Sequence, residues 1–79
     1  MSMFKAVSKE EMQSIRIGSV VECADWSTYI VSIVRFNGNS VDITGVHTKN
    51  DSLILSHRYT YTGKVIGRQC GKVIVQVTP

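Results

Sequence analysis

The sequence predicts a mainly β fold: a small, strongly curved, five- to six-stranded antiparallel barrel with one short N-terminal helix. Three observations carry this. After residue 18 the chain runs through Ser19–Cys23, Thr28–Phe36, Ser40–Val46, Leu53–Thr62, Lys64–Ile66 and Lys72–Thr78, all rich in Val, Ile, Thr and Tyr. Such side chains suit a pleated, half-buried surface. Turn-forming residues separate these segments at close intervals: Ala24–Asp25, Asn37–Gly38–Asn39, Lys49–Asn50–Asp51, Gly63 and Gly67–Gly71. Finally, 79 residues make one domain, 1–79, with a thin core. A chain of that size buries only roughly 60% of the surface its unfolded form exposes.

The helix signal lies at the start. Ser8 followed by Glu11 is a capping box, and Val7 and Met12 fall where a hydrophobic staple belongs. The helix is expected at about residues 9–14, docked through Met12 and Ile15 because it is too short to stand alone in water. Gly18 then releases the chain into a β unit over residues 19–78. Val21 and Cys23 share one face of the first strand. Trp26 sits in the turn that follows, either as a plug at the barrel end or as an interaction anchor.

Thr28–Phe36 is apolar on both faces, with Tyr29, Val31 and Ile33 on one and Ile30, Val34 and Phe36 on the other. A central strand covered on both sides reads this way. Asn37–Gly38 predicts a type I′ hairpin turn flanked by Phe36 and Asn39. In the next strand Val41 and Ile43 face in, while Gly45 marks a bulge or bend. His47–Ser52 reads as a loop. Leu53, Leu55, His57, Tyr59 and Tyr61 line one face of a long strand, with Arg58 and Thr60 on the other. Gly63–Gly67 is echoed eight residues later in Gly71–Val75, as two arms of a closing hairpin would be.

Ile17–Cys23, then Trp26, Tyr29–Val34, Asn37–Gly38 and Val41–Ile43 are similar to the opening hairpins of SH3-like and Tudor-like barrels. The resemblance covers about a third of the chain. It implies a small barrel and, by analogy of fold, supports nucleic-acid binding. It departs from Tudor domains at their aromatic cage: Trp26 and Tyr29 are present, but no third and fourth wall follows. Recognition of methylated residues is therefore not expected.

Composition narrows the function classes. The longest apolar stretch, Tyr29–Val34, is broken by Ser32 and falls far short of the ~20 residues that cross a bilayer, so no membrane partner is expected. Met1–Lys9 lacks the apolar core of a secretory leader, which predicts a cytoplasmic protein with Cys23 and Cys70 reduced and unbridged. The spacing of Cys23, Cys70, His47 and His57 has no metal signature, so neither metal nor cofactor is expected. Cys70, in a turn, could pair with His47 or His57 as a nucleophile, but no catalytic motif flanks it. The chain is read as not an enzyme, with an oligomeric active site around a shared pore as the lesser alternative.

Net charge is +3 and uneven. Residues 1–48 carry four basic and five acidic side chains, whereas 49–79 carry Lys49, Arg58, Lys64, Arg68 and Lys72 against Asp51 alone. A basic half points to an acidic partner or to a solvated face. Arg58–Lys64 interleaves cations with Tyr59 and Tyr61, the mixture that nucleic-acid-binding barrels use for phosphates and unpaired bases. Because both tyrosines share the face of Leu53 and Leu55, packing at the barrel mouth competes with that role.

Two binding functions follow. The first is a non-catalytic protein-binding adaptor or inhibitor, similar in its size and lack of motifs to phage or mobile-element accessory proteins. The alternative is a nucleic-acid-binding barrel. The candidate binding residues are Trp26, Arg58, Tyr59, Tyr61, Lys64, Arg68 and Lys72. Unprotected strand edges and the thin core predict a homodimer.

Overall fold

The computed structural model describes residues 7–67 and 71–79. Helix α1 (Lys9–Gln13) opens on the capping box. Ser8 Oγ accepts the Glu11 N–H at 3.1 Å, and the Glu11 carboxylate accepts the Ser8 N–H at 3.0 Å. Val7 and Met12 are both buried, as a hydrophobic staple requires. Ile15 is buried with them, so the short helix is held by the core rather than by its own propensity. Ser19 has no solvent access, yet its hydroxyl accepts the Arg16 N–H and its carbonyl accepts the Val31 N–H.

Five strands follow: β1 (Val20–Cys23), β2 (Thr28–Asn37), β3 (Ser40–His47), β4 (Ile54–Thr60) and β5 (Ile74–Thr78). They form one antiparallel sheet in the order β4-β3-β2-β1-β5. The concave face carries the core, including Val21, Val31, Ile43, Leu55, Tyr59 and Ile74, with α1 packed against it. Central β2 lies where its apolar content placed it.

The sheet does not close into a barrel. The expected strand Lys64–Ile66 contributes one isolated bridge, Tyr59↔Val65, flanked by hydrogen bonds from Thr60 N to Lys64 O and from Ile66 N to Arg58 O. The expected hairpin between 63–67 and 71–75 also gives way. Its second arm pairs with β1 as β5, and only the Ile74 N–H reaches back, to Gly63 O at 2.8 Å. The physical reason is turn-rich backbone. Gly63 and Gly67 both have positive φ, so the chain between them bends and cannot sustain a ladder. The two sheet edges therefore approach at a seam of single contacts.

Two further expectations are corrected. Asn37 pairs with Ser40, so the hairpin loop is Gly38–Asn39, one residue later than predicted. Gly38 has φ +48 and Asn39 does not share the positive φ. That fits glycine at the first central position of a type II′ turn rather than type I′. Asn37 instead donates its side-chain amide to Asp42 at 3.0 Å. Second, β2 is not apolar-covered on both sides. A bulge at Ser32 breaks the alternation: Val31 pairs with Gly45, but Ile33 with Thr44. Tyr29 and Val31 point in, whereas Ile30 and Ile33 are 45% and 55% exposed. Gly45 permits this approach, since a Cβ there would meet Ile30 O at 3.0 Å and Tyr29 Cβ at 3.1 Å.

Gly63 is the sharper constraint. Its φ is +83, and an added Cβ would lie 2.5 Å from Ile74 O and 2.9 Å from Val7 Cγ2. Gly18 has φ +95 with nothing within 4 Å. Gly18→Ala should therefore show the backbone penalty alone, about 1–2 kcal/mol. Gly63→Ala should lose a further ~1–3 kcal/mol through overpacking of the seam. Urea unfolding of the two variants checks this, and equal midpoints would contradict it.

Candidate functional site

The β1–β2 connection is a tight turn in which the Trp26 N–H donates to Cys23 O and the Cys23 N–H donates to Ser27 O. Asp25 accepts both the backbone N–H and the hydroxyl of Ser27. This leaves Trp26 with φ +72, the only non-glycine positive φ among the described residues, and the residue 80% exposed. The plug role is thus overturned: Tyr29, Val21 and Cys23 fill the core beside the turn, and the indole projects away from it.

Lys72 reaches this turn from the chain leading into β5. Its ammonium lies 2.6 Å from Asp25 Oδ2 and 5.5 Å from the centre of the Tyr29 ring. The hydrogen bond to Asp25, with a contribution from Tyr29, holds Lys72 above the ordinary lysine range. Burial alone would raise the Asp25 pKa, but hydrogen bonds from Lys72 and Ser27 outweigh it and bring the carboxyl below its usual value. The Tyr29 ring meets His47 edge-on at 5.2 Å. His47 Nδ1 accepts the Lys49 N–H, which puts the neutral ring's proton on Nε2. Asp25, Trp26, Ser27, Thr28, His47 and Lys49 line an open groove of about 390 Å³. It is a groove of mixed polar and apolar lining with a tryptophan on its rim, suited to an amphipathic partner surface.

The other predicted residues lie elsewhere. Arg58 is on the convex face of β4, where its guanidinium makes two hydrogen bonds to Asp42, 2.7 Å from the nearer oxygen. Arg58 lowers the Asp42 pKa and is itself raised. Tyr59 has no exposed surface, and its hydroxyl donates to the Lys72 carbonyl at 2.8 Å. It is a core residue with no face left for a base. Tyr61 is half-buried at the sheet end, with the Lys9 ammonium 5.8 Å above its ring. Lys64 is exposed. Arg68 and Cys70 lie outside the described residues. The predicted cluster is therefore not one surface. Lys72 joins Trp26, while Arg58 belongs to the sheet's outer face.

The sequence places Asp25, Ser27 and Thr28 beside Trp26 but does not reveal His47 and Lys49 as its neighbours, nor the convex apolar row Ile30–Val46–Ile54. That row is formed by direct cross-strand pairing, with Ile54 57% exposed. The row was hidden because its members come together only through the register of three strands, while the bulge at Ser32 separately moved Ile33 off the face of Val31. Among the described residues no group of His, Cys, Asp and Glu side chains could hold a metal ion, and no helix is long and apolar enough to cross a membrane. Compared with models of known families, with curated proteins and with solved structures, the chain matches none.

The Lys72–Asp25 pair sets a pH dependence. The Asp25 pKa is lowered in the folded state, so its contribution is present above the unfolded value of 3.8 and is lost as pH falls through the folded value. With both partners about a third exposed, the pair is worth less than about 1 kcal/mol. Asp25→Asn should lower the melting temperature at pH 7, and the gap from wild type should shrink as pH falls below 3.8. Melting curves across pH 2–7 check this, and a gap independent of pH would contradict it.

Proposed function

We propose that this chain is a small non-catalytic protein-binding module whose contact surface centres on Trp26. One observation carries the reading. A large aromatic side chain occupies a left-handed backbone position where glycine or asparagine would fit at lower cost, and it leaves its ring in water. Neither core packing nor turn geometry accounts for a tryptophan there. Tryptophan is enriched among the residues that carry most of the binding energy at protein interfaces, and this one is exposed beside an open groove. The apolar convex row starting at Ile30, shortly after this turn, adds to the contact surface.

The open sheet is consistent with the SH3-like scaffold with its last seam incomplete. A meander whose fifth strand returns beside the first brings the two edges toward one another, as such a scaffold requires. A reducing, cytoplasmic setting suits the buried Cys23 thiol. The nucleic-acid alternative is weaker because its parts are engaged. Tyr59 is in the core, and the charges of Arg58 and Lys72 are paired with Asp42 and Asp25.

Trp26→Gly tests the reading by separating binding from stability. The variant should fold with unchanged or higher stability, by up to about 1–2 kcal/mol, since the left-handed backbone is relieved. Immobilised wild type should retain a partner from a lysate of the source cells that the variant does not. Oligonucleotides, single-stranded or duplex, should not bind at 0.1 M salt. Equal retention by wild type and variant overturns the Trp26 surface. Oligonucleotide binding that weakens steeply with salt would favour the alternative.

A further inference from the structure

Among the described residues, part of the β4 edge is left without a backbone partner. Along β4, Arg58 O and Thr60 N point away from β3, because they bond to Ile66 and Lys64. Backbone direction alternates along an antiparallel strand. The N–H and C=O groups of Ile54 and Ser56 therefore point the same way, into open space. On the opposite edge the first residue of β5, Ile74, is already capped by Gly63. An open edge recruits an extended strand.

We propose that the occupant is a second copy of this chain, joined by antiparallel pairing of β4 with β4 about a two-fold axis at Leu55. Three observations select a second copy over an unrelated peptide. First, the open stretch is short. Ile66 closes it at Arg58, and the turn at residues 51–52 closes it at the other end. A long peptide would collide with the 64–66 segment, whereas a second β4 is limited by its own 64–66 segment at the matching place. The two open stretches are equal in length, and Ile54 of each copy pairs with Ser56 of the other.

Second, the two ends of the stretch are complementary. Leu53 stands exposed at one end and Ile66 at the other. Under the two-fold axis the Leu53 end of each copy abuts the Ile66 end of its partner, so both apolar positions are covered twice over. The two Ile54 side chains become diagonal cross-strand neighbours on the convex face, extending the Ile30–Val46–Ile54 row from one copy into the next.

Third, the charge at the junction is neutralised before association. Arg58, at the end of the stretch, is held by Asp42 within its own chain, so the two copies do not bring unpaired like charges together. A shallow groove lined by Asp42, Ser56, His57, Arg58 and Ile66 lies beside the edge to receive the partner. So short an edge buries little surface, below about 1,200 Å², the size class of weak and transient contacts. This surface meets the proposed contact surface only at Ile54, the last residue of the convex row, so its failure leaves the Trp26 anchor itself untouched.

Analytical ultracentrifugation from about 1 µM to 500 µM tests the proposal, together with amide hydrogen exchange read residue by residue at both ends of that range. Wild type should shift from monomer to dimer, and the Ile54 and Ser56 amides should gain protection as it does. Ser56→Pro removes an outward N–H that β3 does not use and should abolish the dimer. Ile54→Lys places two charges side by side across the axis and should do the same, and it tests the idea if the proline variant fails to fold. A monomer throughout, or a dimer that persists in Ile54→Lys, overturns the proposal. So does a dimer in which the Ile54 and Ser56 amides stay unprotected.

Discussion

Everything in this fold depends on the seam where the two sheet edges meet. Tyr59 is its pivot. The phenol is fully buried, its hydroxyl holds the Lys72 carbonyl, and its backbone bridges Val65. One turn further on, Gly63 O accepts the Ile74 N–H. These contacts tie the end of β4 to the start of β5 without a ladder. The sheet is thereby curled enough to enclose one core, and α1 with its flanking residues lays Val7, Met12 and Ile15 over the remaining opening. A sheet of five short strands with one solvated face would otherwise have too little to bury.

The seam also decides what the surface presents. It fixes Lys72 beside the β1–β2 turn, where the ammonium can hold Asp25, and Asp25 in turn holds Ser27. The turn geometry that results puts Trp26 into left-handed backbone and into water. On the other side of the molecule, the 64–66 segment covers half of the β4 edge and leaves Ile54 and Ser56 uncovered. One arrangement thus accounts for an exposed aromatic anchor at one place and an open strand edge at another.

How much of this could be read from the residues follows from how local each signal is. The capping box and staple were legible because every partner lies within five residues. The antiparallel, mainly β character and the inward set Val41, Ile43, Leu55 were legible from alternation. Alternation failed at Ser32, because a bulge leaves no mark in composition, and Ile33 changed face as a result. The hairpin was placed one residue early because both Asn and Gly tolerate positive φ; in the observed register Asn37 pairs with Ser40 and its side chain bonds Asp42. Charge pairing was least legible. Asp42 and Arg58 lie 16 residues apart and Asp25 and Lys72 lie 47 apart, so only the finished register brings them together. That pairing divided the apparent basic cluster, and burial removed Tyr59 from it.

The most direct test of the seam is native-state amide hydrogen exchange at two sites, Ile74 and Ile66, compared with Val31 in the central strand. If the seam holds the sheet closed around its core, both amides should exchange only through opening nearly as costly as that of Val31, because losing either contact uncurls the sheet. If Ile74 and Ile66 exchange rapidly, like loop amides, while Val31 stays protected, the edges are not held together. The curl of the sheet would then need another cause.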